Sequence, residues 1–245
     1  MKVIVAGSTG FVGTEVIRQA LSNPAITSVV GLARRQTALP NNLYPAADTS
    51  KFKSVVCDDF LNYPESVKQD LADADACIWL MAVTPNKSKS LPWEEVRKIC
   101  HEYPILGIEN IPKLPRKETA TPFRFVYVSG SSAERDQTKK PWILGDYCLM
   151  RGKTETDILD IARNSGGAVE VVVAKPGLIR DSDTGYLKRG VQGVFTTLIG
   201  VPLIELDQIS ATLIKQATKG IEKETLVNED LVKIGQEVLD QQKSS

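Results

Sequence analysis

Three glycines at intervals of three, Gly7, Gly10 and Gly13, break the chain directly after the short apolar run of residues 1–6. From Thr14 onward the pattern turns helical. A buried strand that runs into glycines and then opens a helix is the phosphate-binding turn of a dinucleotide fold. Gly7 lets the chain leave the strand sharply, Gly10 lets backbone approach a pyrophosphate, and Gly13 lets the helix pack close to the sheet. The free N–H groups of that helix, from Phe11 and Val12 onward, and the positive end of its dipole then face phosphate charge. Ser8 and Thr9 are expected to add hydroxyl donors. The competing reading is a glycine-rich turn with no ligand.

The 245 residues suffice for one large α/β domain, and no linker separates a second. Lys+Arg and Asp+Glu number 30 each, so no basic field points to nucleic acid or an anionic membrane. The longest apolar stretch, residues 76–83, is too short to span a bilayer, and no cleavable leader pattern precedes the first strand. Cys57, Cys77, Cys100 and Cys148 are scattered, which suits reduced thiols, argues against a structural zinc site and leads to the expectation of a cytoplasmic protein. His101 is the sole histidine, which argues against a histidine metal site and makes core or surface filler its expected role.

The second strand, expected over 26–33, delivers Arg34 and Arg35 to its carboxyl end. An acid there takes the ribose hydroxyls of NAD, whereas arginine receives the 2′-phosphate of NADP, so the pair points to NADP(H). Two arginines ending a strand in solvent are the alternative. A third strand over 52–57 ends in Asp58 and Asp59, which either accept from an adenine amino group or cap the helix expected from Glu65. Residues 76–83 read as a buried central strand whose end, Ala82 and Val83, should lie under the dinucleotide. A strand over 123–128 ends in Ser129-Gly130-Ser131-Ser132, and a long helix within 141–164 carries Tyr147, Arg151 and Lys153. Another strand over 169–174 precedes Lys175-Pro176-Gly177-Leu178-Ile179. The alternation predicts one doubly wound parallel sheet with a small irregular C-terminal region. Within that region, residues 180–225 are expected to cover substrate, including a charged flap over 181–193 and a short helix over 194–199.

These motifs together resemble the short-chain dehydrogenase/reductase superfamily, in its extended-to-atypical branch. The resemblance rests on Gly7-x-x-Gly10-x-x-Gly13, Arg34-Arg35, Cys57-Asp58-Asp59-Phe60, the serine-rich strand end, Tyr147-x-x-x-Arg151 and Lys175-Pro176-Gly177. Residues 147–155 resemble the Tyr-x-x-x-Lys-Gly-x-x-Glu helix of a small NADP-binding group that includes a mammalian NADPH-binding regulator. The resemblance implies a Rossmann fold, with Tyr147 as general acid and Ser131, then Ser129, as the serine that bonds a substrate carbonyl. It also implies cofactor contacts from Pro176, Gly177, Leu178 and Ile179. Chemically, a phenol with a pKa of ~10 needs a nearby cation to work at neutral pH, and the i, i+4 spacing puts Arg151 on the face of Tyr147. The departure is Arg151 where the family has lysine; arginine keeps the charge without the compact ammonium. Lys153, two residues on, turns to another face.

The function so implied is NADPH-dependent reduction of a carbonyl on a small organic substrate by a monomer or homodimer. Two alternatives stand beside it: an NADP(H)-binding regulator without turnover, and an isomerase or epimerase that retains cofactor. Substrate contacts are expected from residues 84–91, 145–147 and those after Ile179, with Trp93 and Trp142 either bordering the pocket or packed in the core.

Overall fold

The structure, a computed structural model, describes residues 1–117, 121–181 and 202–243. Seven parallel strands form one sheet in the order β3-β2-β1-β4-β5-β6-β9. They are β1 (Lys2–Ala6), β2 (Ser28–Ala33), β3 (Phe52–Val56), β4 (Ala76–Trp79), β5 (Phe123–Val128), β6 (Val169–Lys175) and β9 (Thr225–Val227). The central strands are continuous apolar runs because both faces are covered: all four residues of β4 are buried, as are Val3 to Ala6 in β1. β7 (Leu178–Arg180) and β8 (Leu203–Glu205) pair separately in parallel.

One face carries α2 (Glu65–Leu71), the helical run of α4 (Trp93–Arg97) and α5 (Tyr103–Asn110), and α6 (Gly145–Arg163). A short α3 (Pro85–Ser88) precedes that run, and a π turn over Lys98–Glu102 joins α4 to α5. The core of this face is aromatic, with Phe60 edge-on to Trp79 at 6.1 Å and Trp79 against Phe125 at 5.8 Å. Gly107 is where α5 crosses Trp79; a β-carbon there would run into the indole. The other face carries α1 (Phe11–Ser22), α7 (Leu206–Lys219) and α8 (Asn228–Lys243) over an aliphatic core that includes Val3, Val5, Ile17, Leu21 and Leu213. Helices on both faces of a parallel sheet are the doubly wound architecture expected, and the order reverses between β1 and β4.

Several boundaries differ from the sequence reading. The central strand stops at Trp79 instead of Val83: Leu80 donates to the Ala6 carbonyl (2.9 Å), and the chain then turns out over the sheet edge. The helical run from Trp93 continues to Asn110 past Pro104, which comes directly after the π turn, where the ladder shifts register and Tyr103 N–H reaches back five residues to the Lys98 carbonyl. The expected flap and the helix over 194–199 lie outside the described residues, apart from Asp181. Residues 203–219 build the fold itself: β8 pairs with β7, and α7 packs between α1 and α8, with Thr212 donating to the Leu231 carbonyl at 2.8 Å.

Candidate functional site

In a doubly wound sheet the ligand crevice lies beyond the carboxyl ends of the strands, where the order reverses. Every motif residue singled out in the sequence follows such an end: 7–13 after β1, Arg34 and Arg35 after β2, Asp58 and Asp59 after β3. Residues 80–83 follow β4, 129–131 follow β5 and 176–179 follow β6. One edge therefore collects segments up to 170 residues apart in the chain.

The glycine turn is built as its spacing requires. Gly7 has φ +89°, a conformation that L side chains avoid, and its N–H donates to the Leu32 carbonyl (2.9 Å). A β-carbon on Gly13 would lie 2.5 Å from the Gly7 carbonyl oxygen and 2.9 Å from Ser8 Cα, so only glycine lets α1 seat there. Gly10 holds the extended N-cap position with no side chain capping the helix, and Thr14 makes the first intrahelical bond, to the Gly10 carbonyl at 2.9 Å. The N–H groups of Phe11, Val12 and Gly13 are thus left for a ligand, and Phe11 and Gly10 are exposed. These residues fit a pyrophosphate. Arg34 and Arg35 are exposed, form no ion pair with a carboxylate among the described residues, and fit an additional phosphate.

Other assignments change. Ser8 is fully buried and its hydroxyl is already bonded to Thr37 Oγ1 at 2.6 Å. Asp59 accepts from the Leu61 N–H (3.1 Å) and the Tyr103 hydroxyl (3.4 Å) and lies 3.7 Å from Lys98 Nζ, while Asp58 remains exposed. Neither acid caps α2, whose N-cap is Pro64. Gly177 N–H donates to Asn228 Oδ1 (2.9 Å), Leu178 N–H to the Pro202 carbonyl (2.8 Å), and the Pro176 carbonyl accepts from Ser131 N–H (2.8 Å). That segment is fastened to the protein, with Leu178 exposed and Ile179 partly buried against the aliphatic core.

Tyr147 sits in the first turn of α6, and its hydroxyl donates to the Val83 carbonyl at 2.8 Å. Val83 N–H in turn donates to Cys100 Sγ (3.2 Å). Burial pushes the Tyr147 phenol up to about 12, with the Arg151 charge pulling the other way. Arg151 is buried: it donates to the Val128 carbonyl (2.8 Å) and lies over the Tyr127 ring at 5.1 Å. It influences the phenol through space and is too enclosed to reach a ribose. Lys153 bonds both oxygens of Asp157 at 3.0 Å on the outer face, as its spacing predicted. His101 packs against α6, with Nδ1 3.0 Å from Thr154 Oγ1, in the packing role expected.

Ser129 is not available to substrate, because its hydroxyl donates to Glu155 Oε1 at 2.6 Å. Ser131 is exposed, which leaves it the better serine. Glu155 has no exposed surface and also takes Arg135 (2.7 Å) and Lys175 (3.0 Å). This ion cluster ties the loop after β5 to α6 and to the end of β6. Sequence reading gave Glu155 no partner, and nothing in the spacing of Arg135 and Lys175 could have supplied one.

The same doubly wound fold is found in solved reductase and epimerase structures. MoeE5 in complex with UDP-glucuronic acid and NAD superposes with a TM-score of 0.64 at 16% identity, covering 93% of this chain and 75% of that one. Vestitone reductase from alfalfa gives 0.63 at 17% identity over 92% and 76%. UDP-glucose 4-epimerase from Thermotoga maritima gives 0.63 at 15% identity over 97% and 82%. No family model matches the chain. In sequence it is similar to the mitochondrial protein FMP52 of Candida albicans, 26% identical over 179 residues, which are 73% of this chain and 67% of that protein. That relative overturns the cytoplasmic expectation. Four free buried thiols report only a reducing environment, which the cytosol shares with other compartments, so composition could not carry the location.

Proposed function

We propose that the chain is an NADP(H)-dependent oxidoreductase that reduces the carbonyl of a small organic molecule. The observation that carries this reading is the carboxyl edge of the sheet: an anion-ready glycine turn follows β1, two arginines without carboxylate partners among the described residues follow β2, and the helix after β5 carries a tyrosine with a buried cation behind it. NAD in the MoeE5 complex and the reductase and epimerase names of the other similar structures support a nicotinamide cofactor.

The N–H groups of Phe11, Val12 and Gly13 would hold the pyrophosphate, and Arg34 and Arg35 the 2′-phosphate. Asp58 is placed for the adenine side, and Ala82 with Val83 for the floor of the crevice. Such a cofactor, when bound, supplies the hydride that reaches the carbonyl carbon. The chain supplies the proton: Tyr147 Oη gives it to the carbonyl oxygen, an alcohol forms, and the phenol recovers a proton from water. Burial raises this phenol to about 12 instead of lowering it, so it stays protonated throughout the neutral range but is a weaker acid than the cation-assisted tyrosine the sequence led one to expect. To act, it must release the Val83 carbonyl; Ser131 then orients the substrate oxygen.

Calorimetric titration with NADPH, NADP, NADH and NAD, repeated on Arg34→Ala and Arg35→Ala, tests the cofactor assignment. Each loss should weaken the phosphorylated pair about tenfold or more and leave the unphosphorylated pair unchanged. Equal affinity for all four nucleotides in the unsubstituted protein removes the arginine argument. A second reading, a nucleotide-binding regulator without turnover, is favoured by one observation: Tyr147 is bonded inward to Val83 and Arg151 is enclosed. Tight NADPH binding with no oxidation on a broad carbonyl panel selects it.

A further inference from the structure

The carbonyl of buried Val83 accepts from two side chains, the Tyr147 hydroxyl at 2.8 Å and the Cys100 thiol at 3.7 Å. Val83 N–H completes a reciprocal pair by donating to the same sulfur at 3.2 Å. This pair bridges 17 residues of chain. Cys57 and Cys148, by contrast, donate to carbonyls only two and five residues away.

Cys100 is fully buried, so water does not compete for these bonds. Its backbone is held from the other side. It lies in the π turn over Lys98–Glu102, an interruption of a kind that recurs at functional sites, and its carbonyl accepts from Thr154 Oγ1 at 3.3 Å. Thr154 belongs to α6, the helix that carries Tyr147. The thiol thus ties the segment after β4 to the tyrosine helix by a route that bypasses the tyrosine. Burial pushes the thiol up, with the Arg151 charge pulling the other way, so the sulfur keeps its proton at neutral pH and remains a donor.

To protonate a substrate, the Tyr147 hydroxyl has to leave the Val83 oxygen, and a buried carbonyl left without a donor is costly. We infer that Cys100 is a positioning residue of the reduction: its S–H keeps the Val83 carbonyl bonded when the phenol turns to the substrate, and so holds residues 82–83 in place during proton transfer. Only hydrogen bonds are exchanged; the thiol neither gives up its proton nor touches substrate. This inference rests on the carbonyl-reductase reading of Tyr147.

Two donors to one oxygen back each other up, so their losses should not add. Urea denaturation of Cys100→Ala, Tyr147→Phe and the double variant tests this without substrate. The folding constant of the double variant should lie about fivefold or more below the value that the two single losses predict, because only there is the carbonyl orphaned. Additive losses mean that the thiol only fills space, and overturn the inference. The kinetic arm follows NADPH oxidation across a panel of aldehydes and ketones headed by 4-nitrobenzaldehyde. Cys100→Ala should lower kcat about tenfold with KM for NADPH and carbonyl unchanged, and Cys100→Ser, whose hydroxyl also donates, should regain most of it. An unchanged kcat in Cys100→Ala, or a loss confined to KM, overturns the inference. No oxidation on the panel, together with non-additive folding losses, keeps the thiol as second donor to Val83 and sinks the reductase reading alone.

Discussion

The two halves of the carboxyl edge differ in where their polar groups point. After β1 and β2 the N–H groups of α1 and the guanidinium groups of Arg34 and Arg35 face outward, uncommitted to carboxylates in the described residues. After β4, β5 and β6 the polar groups turn inward: Tyr147 to Val83, Arg151 to Val128, Ser129 to Glu155, and Glu155 to Arg135 and Lys175. On the proposed reading the first half receives the anionic cofactor. The second is a self-satisfied network that has to give up at least one bond before it can serve a substrate. Binding and turnover are therefore separable here, and substitutions should separate them.

The largest expected effect is on turnover. Tyr147→Phe removes the proton donor and should lower carbonyl reduction by about 10²–10⁴-fold, with NADPH affinity little changed. The same substitution strips the Val83 carbonyl of its partner, at a cost of about 1 kcal/mol in urea denaturation. Retained turnover would dissolve the contrast between the halves, because the tyrosine would then be only a latch. Since its phenol sits near 12, the reduction rate of the unsubstituted protein should not fall through loss of this proton up to about pH 9.

Next comes Glu155→Ala, which leaves Lys175 and Arg135 facing one another without their anion. It should destabilise the fold by about 3 kcal/mol, the lower end for a broken buried pair because the Arg135 side chain is 35% exposed. Gly13→Ala probes the other half. Its β-carbon meets two backbone groups that have nowhere to move, so about 2 kcal/mol of stability should be lost along with NADPH affinity. If Gly13→Ala spared NADPH binding while Glu155→Ala abolished it, the receptor would have been assigned to the wrong half.

The same contrast explains what was legible in the residues. Backbone requirements read well: the Gly7 and Gly13 positions follow from positive φ and close packing, and the continuous apolar runs of β1 and β4 announce a sheet buried on both faces. Strand ends also read well, because a parallel sheet puts every β-to-α connection on one edge. Side-chain direction did not. Ser8 lies in the turn as expected, yet Thr37, from 29 residues away, takes its hydroxyl. Ser129 reads as a second catalytic serine until Glu155 is folded against it. The three-residue strands β7, β8 and β9 carry no periodicity long enough to register, and only their pairing defines them.

The smallest effect concerns His101, which lies under the inward-turned half. Burial lowers its pKa below the usual value of ~6.5, with Lys153 and Arg97 adding to the lowering and Asp157 and Glu102 opposing it. In the window between the folded and unfolded pKa values the unfolded chain binds more protons, so stability rises with pH there. The contribution is fully present above about pH 6.5 and is lost as acid drives the folded-state group to charge. Measured by urea denaturation from about pH 7.5 to about pH 5, the unsubstituted protein should lose stability more steeply than His101→Gln. NADPH affinity in the same range should follow neither curve, since His101 bonds Thr154 beneath α6 and the arginines lie beyond β2. Parallel denaturation curves would mean that the imidazole is no less protonatable folded than unfolded, and affinity that tracked His101 would show the two halves to be coupled through α6.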